Sequence, residues 1–260
     1  MTRFLSALAI LPVVGGIIWL LHPLATLILV EVILFVAFLE YADLAARTGS
    51  PFPKTMSVVA ALSTCAVLGL EPSMLPVMLM AVTVGIGVVQ LSHWPQNRTL
   101  SSVSTAIFGV LYLALPLGSM VALRLTRSPE VLLLLLVTIM ASDTAQYYGG
   151  RLLGRRPLAP SISPKKTVEG ALIGLVAGTF VVWAVGFWWL NELNAGLRVL
   201  LGLTVAGLGI GGDLFESSLK RNANLKDASH LIPGHGGVLD RLDGLLFAAP
   251  VYYTVVQFTR

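Results

Sequence analysis

Residues Gly212 to Asp243, GDLFESSLKRNANLKDASHLIPGHGGVLDRLD, concentrate the polar chemistry of an otherwise apolar chain. Charged residues make up only 12% of the chain, yet this stretch contains nine of them and two of the four histidines. Such a concentration indicates a functional segment, and the alternative is a solvated loop between two membrane helices.

The two ends of this stretch are predicted to be helical. At the first end, Asp213, Ser217, Lys220 and Arg221 are spaced at i, i+4, i+7 and i+8, so they share one face of a helix that begins near residue 197. At the second end, Asp240 and Asp243 are at i and i+3 near the start of another apolar run. Two carboxylates on one face suit a hard divalent cation.

The middle of the stretch, residues 232–237, is too rich in Gly and Pro to be helical. Backbone N–H groups at Gly236 and Gly237 can approach an anion closely because no side chain stands in the way. We therefore expect a phosphate cradle here. His235 lies inside it and is a candidate donor to a phosphate group, with a structural role as the alternative.

Composition places the whole chain in a membrane. A 56% share of hydrophobic residues and a mean hydropathy of +0.85 indicate an integral membrane protein rather than soluble domains. The expected fold is an all-α, polytopic membrane protein with about nine transmembrane helices that form a single domain over residues 1–260. The predicted spans cover 4–21, 24–44, 56–70, 73–91, 104–123, 131–148, 167–190, 197–216 and 241–257.

The positive-inside rule predicts the orientation of these spans. With a cytoplasmic N-terminus, 13 of the 17 basic residues fall on the cytoplasmic side, and Arg124, Arg127, Arg198 and Arg260 fall on the other. We therefore expect the loop before span 167–190 and the loop after span 197–216 to be cytoplasmic. The C-terminus is expected to lie on the other side of the membrane.

Several carboxylates lie within or beside the apolar runs. Asp143 follows the run 131–140, and an intramembrane carboxylate indicates a functional site. Glu31, Glu40 and Asp43 belong to the second run. For Glu40 and Asp43 the sequence leaves two roles open, interfacial solvation and support of a site.

A basic loop follows Asp143. It runs from Arg151 to Lys166 and carries five basic residues, for which membrane topology is one explanation. Ser163-Pro164 is typical of a helix N-cap followed by proline in the first turn. We therefore expect Lys165 and Lys166 at a helix N-terminus that binds phosphate.

The residue order from Ser217 to Asp243 resembles the signature of the phosphatidate cytidylyltransferase family, also called CDP-diacylglycerol synthases. Ser-x-Leu-Lys-Arg is followed after four residues by Lys-Asp, and later by Pro-Gly-His-Gly-Gly, two residues and Asp-Arg-Leu-Asp. Residues 142–151 and 163–170 resemble the upstream motif of the same family. The resemblance covers roughly the C-terminal half, and Gly244 stands where the family more often has serine.

The resemblance implies transfer of a cytidylyl group from CTP to phosphatidic acid, giving CDP-diacylglycerol and pyrophosphate, with Mg²⁺ as cofactor. The phosphate of phosphatidic acid is already ionised at neutral pH, so the difficulty is to bring two polyanions together. Asp213 and Asp240, with Ser217, are expected to hold Mg²⁺, and Asp227 and Asp243 are further candidates. Residues 1–130 would then form membrane spans and residues 131–260 the catalytic half.

The remaining roles also follow from the resemblance. The catalytic group is expected to contain Asp213, Asp240, Lys220, Arg221 and His235. The substrate-binding group is expected to contain Asp143, Lys165, Lys166, Ser217, Lys226, Gly236, Gly237 and Arg241, in which the basic side chains bind phosphate.

Expected partners are CTP, phosphatidic acid and membrane lipids, in the inner (plasma) membrane. A second, monovalent cation and a homodimer are left open. The net charge of +4 is small and dispersed, and the sequence shows no nucleic-acid-binding motif.

Three other functions are alternatives to this one. A secondary transporter of an anionic solute would also carry intramembrane carboxylates, but its polar groups usually occur in paired halves. A phosphotransferase that consumes CDP-diacylglycerol would need an Asp-x-x-Asp-Gly-x-x-Ala-Arg pattern, which the sequence lacks. A catalytically inactive scaffold of the same fold is the third alternative, and the intact charged residues argue against it.

If Asp213 and Asp240 share one metal, their substitutions must be coupled. Asp213→Asn and Asp240→Asn should each abolish cytidylyl transfer, because asparagine keeps the size but loses the charge that attracts Mg²⁺. The double variant should be scarcely worse than either single variant. The measurement is the Mg²⁺ dependence of the rate at matched folded protein, and losses that simply add would contradict a shared metal.

Overall fold

The structure, a computed structural model, describes residues 12–92, 99–229, 231 and 236–259. Its helices are α1 (12–20), α2 (Pro23–Arg47), α3 (Lys54–Leu70), α4 (Leu75–Leu91), α5 (Thr99–Gly109), α6 (Leu115–Thr126), α7 (Pro129–Leu153), α8 (Val168–Trp189), α9 (Ala195–Asn222) and α10 (Leu239–Phe258). A 3₁₀ turn, Pro72–Met74, precedes α4, and a π-helical turn, Val110–Ala114, joins α5 to α6. Strands β1 (Pro157–Ala159) and β2 (Ser163–Thr167) pair antiparallel between α7 and α8.

This architecture confirms an all-α, polytopic integral membrane protein. Among the described residues, six helical segments are long and apolar enough to cross a membrane, and the apolar helix α3 is shorter. The six segments are Pro23–Arg47, Pro72–Leu91, Thr99–Thr126, Pro129–Leu153, Val168–Trp189 and Ala195–Asn222. Helices lie over all nine predicted spans, although residues 4–11 of the first span are outside the described residues. A total of nine membrane crossings stays a prediction.

Contacts within the chain define two compact units. One contains residues 1–126 and 222–241, and the other contains residues 127–221 and 242–260. We call them unit 1 and unit 2. The predicted single domain with a boundary near residue 130 stays a prediction.

In unit 1, helices α2, α3 and α6 pack closely through small residues and aromatic rings. Gly118 of α6 lies against α3, where an added Cβ would be 3.0 Å from the Cys65 carbonyl oxygen. The Tyr41 hydroxyl of α2 donates to the Thr105 carbonyl at 2.8 Å. Buried Arg124 at the end of α6 donates to the carbonyls of Ile18, in the last turn of α1, and of Leu21, which follows α1. Carbonyls at a helix end need such donors when water is excluded.

In unit 2, α7 and α8 pack along a row of small residues. The buried residues of α8 recur every four positions: Gly170, Gly174, Gly178, Val182 and Gly186. Three of the glycines face Gln146, Ser142 and Thr138 of α7. Small residues at this spacing let membrane helices approach until their backbones touch.

The start of α8 differs from the sequence prediction. Residues 163–167 form strand β2, and α8 begins only at Val168, so the predicted helix N-terminus at Lys165 and Lys166 is wrong. The residue before a proline favours extended backbone, which fits Ser163 in a strand. The cap is Thr167, whose hydroxyl oxygen accepts the Gly170 N–H at 3.2 Å.

Glu169, in the first turn of α8, holds the hairpin against the helix. Its carboxylate accepts the backbone N–H groups of Arg155 at 3.0 Å and Arg156 at 3.1 Å, and it pairs with the Arg156 side chain. A carboxylate in the first turn also favours the helix dipole. The hairpin that carries Lys165 and Lys166 is therefore positioned from α8.

Gly174→Ala tests the close packing of α7 and α8. Its Cβ would lie 2.8 Å from the Ser142 carbonyl oxygen, so the two backbones must separate. We expect the free energy of unfolding to fall by about 1–3 kcal/mol, the usual cost of overpacking.

The matched control is Gly87→Ala in α4, where an added Cβ meets no atom within 4 Å. That change should be neutral or stabilise by up to about 1 kcal/mol through helix propensity. Thermal unfolding of both variants in detergent is the measurement. Equal stability of the two variants would contradict backbone contact between α7 and α8.

Candidate active site

Helix α9 presents the predicted row of polar residues. Asp213, Ser217, Lys220 and Arg221 all lie within its last three turns, as their spacing predicts. The Ser217 hydroxyl donates to Asp213 Oδ1 at 3.5 Å. This contact places a hydroxyl and a carboxylate oxygen side by side on one helical face.

Helix α10 meets α9 at Gly212. A Cβ added to Gly212 would clash with the backbone oxygen of Asp243, so only glycine permits this approach. The contact lies one residue before Asp213. As a result, Asp243 and Asp213 lie close together although 30 positions separate them in the sequence.

Three carboxylates and one lysine in unit 2 form a group that we call the carboxylate cluster. The charges of Asp143 on α7, Asp213 on α9 and Asp243 on α10 interact, and Lys166 on β2 is the opposing positive charge. Lys166 forms an ion pair with Asp213. One ammonium group therefore faces three carboxyl groups.

The β-hairpin contacts α9 at two points. One is the ion pair between Lys166 and Asp213, in which the Lys166 side chain is only 17% exposed. The other is the donation from Arg221 Nε to the Ile162 carbonyl at 3.2 Å. Neighbouring residues of a strand face opposite sides, so Lys165 is exposed while Lys166 faces the cluster.

Lys220 differs from the other predicted phosphate-binding residues because it is buried. It pairs at 2.5 Å with Glu216, whose side chain has no exposed surface. Both residues lie on α9, one turn apart. The pair keeps a charged Lys220 inside unit 2, and its predicted role in phosphate binding stays a prediction.

In unit 1, Asp240 holds the backbone of Ala228 and Gly237, which precede α10 in the sequence. Asp240 Oδ2 accepts the N–H of Ala228 at 3.0 Å and the N–H of Gly237 at 2.7 Å. Gly236 has a φ of +81°, and a Cβ there would be 2.6 Å from the same oxygen. Because the Gly237 N–H already has an acceptor, a bound phosphate would have to replace Asp240 there.

Glu40 of α2 also contacts this part of the chain, a role that the sequence left open. The carboxylate accepts from Ser229 Oγ at 2.5 Å and from the backbone N–H groups of Val238 at 3.0 Å and Leu239 at 2.7 Å. The available signal in the sequence was an acidic residue inside an apolar run. That signal indicates a partner but does not identify it.

The remaining predicted residues lie on the surface or outside the described residues. Lys226, Asp227 and Arg241 are exposed. His235 lies outside the described residues. Their predicted roles stay predictions.

The oxygen donors of the carboxylate cluster fit Mg²⁺. Within the described ranges, no three His, Cys, Asp or Glu side chains form a ready-made metal cage. Mg²⁺ does not require one, because it is usually bound by one or two carboxylates, water and substrate phosphates. Asp213 with the Ser217 hydroxyl supplies such a partial set of ligands, with the carboxyl groups of Asp143 and Asp243 nearby.

Comparison with known proteins identifies relatives across the chain. A sequence model of the Cytidylyltransferase family matches residues 1–259. The phosphatidate cytidylyltransferase of Helicobacter pylori is 43% identical over 126 residues, which cover 48% of this chain and 46% of that protein. The Synechocystis protein of the same name is 47% identical over 131 residues, covering 48% and 43%. The chain thus spans about half the length of these two relatives.

A third relative is matched over more of its length. The phosphatidate cytidylyltransferase of Rickettsia typhi is 32% identical over 184 residues, which cover 68% of this chain and 79% of that protein.

Glu216→Gln tests the buried ion pair of α9. It removes the charge that faces buried Lys220, and breaking a buried pair typically costs about 3–5 kcal/mol. Asp43→Asn is the control, because it breaks the exposed 2.6 Å pair with Lys54 and should cost less than about 1 kcal/mol. Chemical unfolding in detergent measures both, and similar small losses would show that the Glu216 pair is effectively solvated.

Proposed function

The chain belongs to the cytidylyltransferase family, and from this membership and its carboxylate cluster we propose that it is a phosphatidate cytidylyltransferase. A phosphate oxygen of phosphatidic acid attacks the α-phosphorus of CTP, and the bond to the β-phosphate breaks. The products are CDP-diacylglycerol and pyrophosphate. The names of the relatives support these substrates, and the observation that carries the proposal is the cluster of Asp143, Asp213, Asp243 and Lys166 in an integral membrane protein.

The residues of the cluster suit a reaction whose difficulty is electrostatic. The attacking phosphate is already ionised, so no side chain has to remove a proton from it. Lys166 and Arg221 are positioned by one hairpin and one helix, and they provide positive charge for the phosphates. Charge-assisted hydrogen bonds from such groups are stronger than hydrogen bonds between neutral groups, and they orient a phosphate as well as attract it.

Mg²⁺ is part of this proposal. Asp213 and Ser217 would hold it, with Asp143 and Asp243 contributing negative charge nearby. When bound, the ion neutralises charge on the CTP phosphates. Asp227 and Asp240 remain candidate ligands on sequence grounds. A second, monovalent cation and a homodimer are further proposals, and they rest on the sequence alone.

The orientation in the membrane is proposed from the distribution of basic residues. The N-terminus and the loops that carry Lys165 and Lys226 are placed in the cytoplasm, where CTP is available, and the C-terminus on the other side of the inner (plasma) membrane. The partners are then CTP and membrane-borne phosphatidic acid, without a nucleic acid.

One assay tests the proposed function. Purified protein in detergent is incubated with labelled CTP, phosphatidic acid and Mg²⁺, and the label is followed into the lipid phase. A lipid-soluble cytidine product that requires phosphatidic acid supports the proposal. Folded protein that makes no such product would instead support an inactive scaffold, or a transporter if vesicles containing the protein take up an anionic solute.

The phosphate-binding residues can be tested one at a time. Lys165→Ala, Lys166→Ala and Arg221→Ala should each lower kcat/KM by about 1.5–3 kcal/mol of transition-state free energy, because each removes a charge-assisted contact to phosphate.

Lys54→Ala is the control for these three variants, since Lys54 pairs with Asp43 on an exposed surface of unit 1. It should leave the kinetics unchanged. Steady-state rates at matched amounts of folded protein decide the question. Equal losses in all four variants would indicate a general effect on folding.

A further inference from the structure

Outside the cluster, the carboxylate of Glu40 accepts three hydrogen bonds. It lies in the membrane helix α2 and is only 6% exposed. One of its oxygens accepts from the Ser229 hydroxyl and the Val238 N–H, and the other accepts from the Leu239 N–H. A side chain from the N-terminal part of the chain therefore holds a segment of the signature nearly two hundred positions away.

The contacts of Glu40 join residues that are separated in the sequence. Ser229 is one of them, while Val238 precedes α10 and Leu239 begins it. A Cβ added to Gly237 would be 2.6 Å from Glu40 Oε2, so the Gly237 backbone lies directly against the carboxylate. Glu40 thus holds Ser229 beside Gly237, Val238 and Leu239.

Asp240 holds the neighbouring backbone groups. It accepts the N–H groups of Ala228 and Gly237, which neighbour the Ser229 and Val238 contacts of Glu40. The two carboxylates therefore bind adjacent residues at both places. A shift of Ser229 or Val238 away from Glu40 would also move the groups that orient Asp240.

A negative charge is well suited to the position of Glu40, next to the start of α10. The first N–H groups of a helix lack acceptors within the helix, and the helix dipole favours an anion there. At α10 these donors include Leu239, and Glu40 supplies the acceptor from another helix. Glutamine would keep the size of the side chain, but its amide has one acceptor oxygen and no charge.

We propose that Glu40 is a positioning residue for the reaction, because it holds Ser229, Val238 and Leu239 in the arrangement that orients Asp240, Gly236 and Gly237. This inference rests on the proposed function, since it assigns Asp240, Gly236 and Gly237 to the site. Glu40 itself is not expected to touch substrate. Its effect is on the geometry of the groups that do.

The test is Glu40→Gln in the full chain, with two separate measurements. Hydrogen exchange in detergent should show faster exchange of the Val238 and Leu239 amides by at least about tenfold, without a similar change in α7 and α8. Steady-state kinetics should show kcat/KM for CTP lower by at least about tenfold, which corresponds to about 1.4 kcal/mol. The Mg²⁺ concentration for half-maximal rate is measured in parallel.

Glu31→Gln is the matched control, because Glu31 lies on the same helix and contacts the Cys65 thiol of α3. It should change neither measurement. Ser229→Ala provides a second variant in case Glu40→Gln does not fold. It removes one hydrogen bond to Glu40. It should therefore speed amide exchange at Val238 and Leu239 and lower kcat/KM for CTP, both by less than Glu40→Gln does.

Each outcome decides a different part of the proposal. Unchanged exchange at Val238 and Leu239 in Glu40→Gln and in Ser229→Ala would overturn it. Faster exchange with unchanged kinetics would also overturn it, because Glu40 would then only stabilise the fold. A wild-type protein that makes no lipid product would instead reject the proposed function, while the exchange result would still decide whether Glu40 holds the segment.

Discussion

The ion pair between Lys166 and Asp213 is the interaction on which the proposed site depends. It joins the β-hairpin to α9, and the Arg221 contact to Ile162 fixes the same two elements a second time. Without this pair, Asp213 would lie beside Asp243 without a lysine to oppose its charge. Charges in a mostly apolar chain are costly unless they are paired, and here the pairing also gathers the groups that can bind phosphate and metal.

Close helix packing makes this gathering possible. The glycines of α8 allow contact with α7, which carries Asp143, and Gly212 allows α10 to reach α9 beside Asp213. Glu169 then ties the hairpin to the start of α8. Small residues therefore determine how near the carboxylates come to one another, although none of these glycines carries a functional group.

The sequence predicted the helices of this fold well because long apolar runs have few alternatives in a membrane. It also predicted that Asp213, Ser217 and Arg221 share a helix, since that follows from spacing alone. It could not predict the β-hairpin at Lys165 and Lys166, because Ser-Pro is compatible with a helix cap and with a strand. The sequence also could not predict the partners of Glu40 and Glu216, because these contacts depend on three-dimensional packing rather than on a local pattern.

The carboxylate cluster is proposed to bind a divalent cation through Asp213. The most direct measurement is Mn²⁺ binding to the purified protein without substrates, followed by electron paramagnetic resonance and competed with Mg²⁺. We expect saturable Mn²⁺ binding in the wild-type protein, with Mg²⁺ displacing the Mn²⁺. Asp213→Asn should lose this binding and Asp43→Asn should keep it. Unchanged Mn²⁺ binding in Asp213→Asn would contradict this proposal.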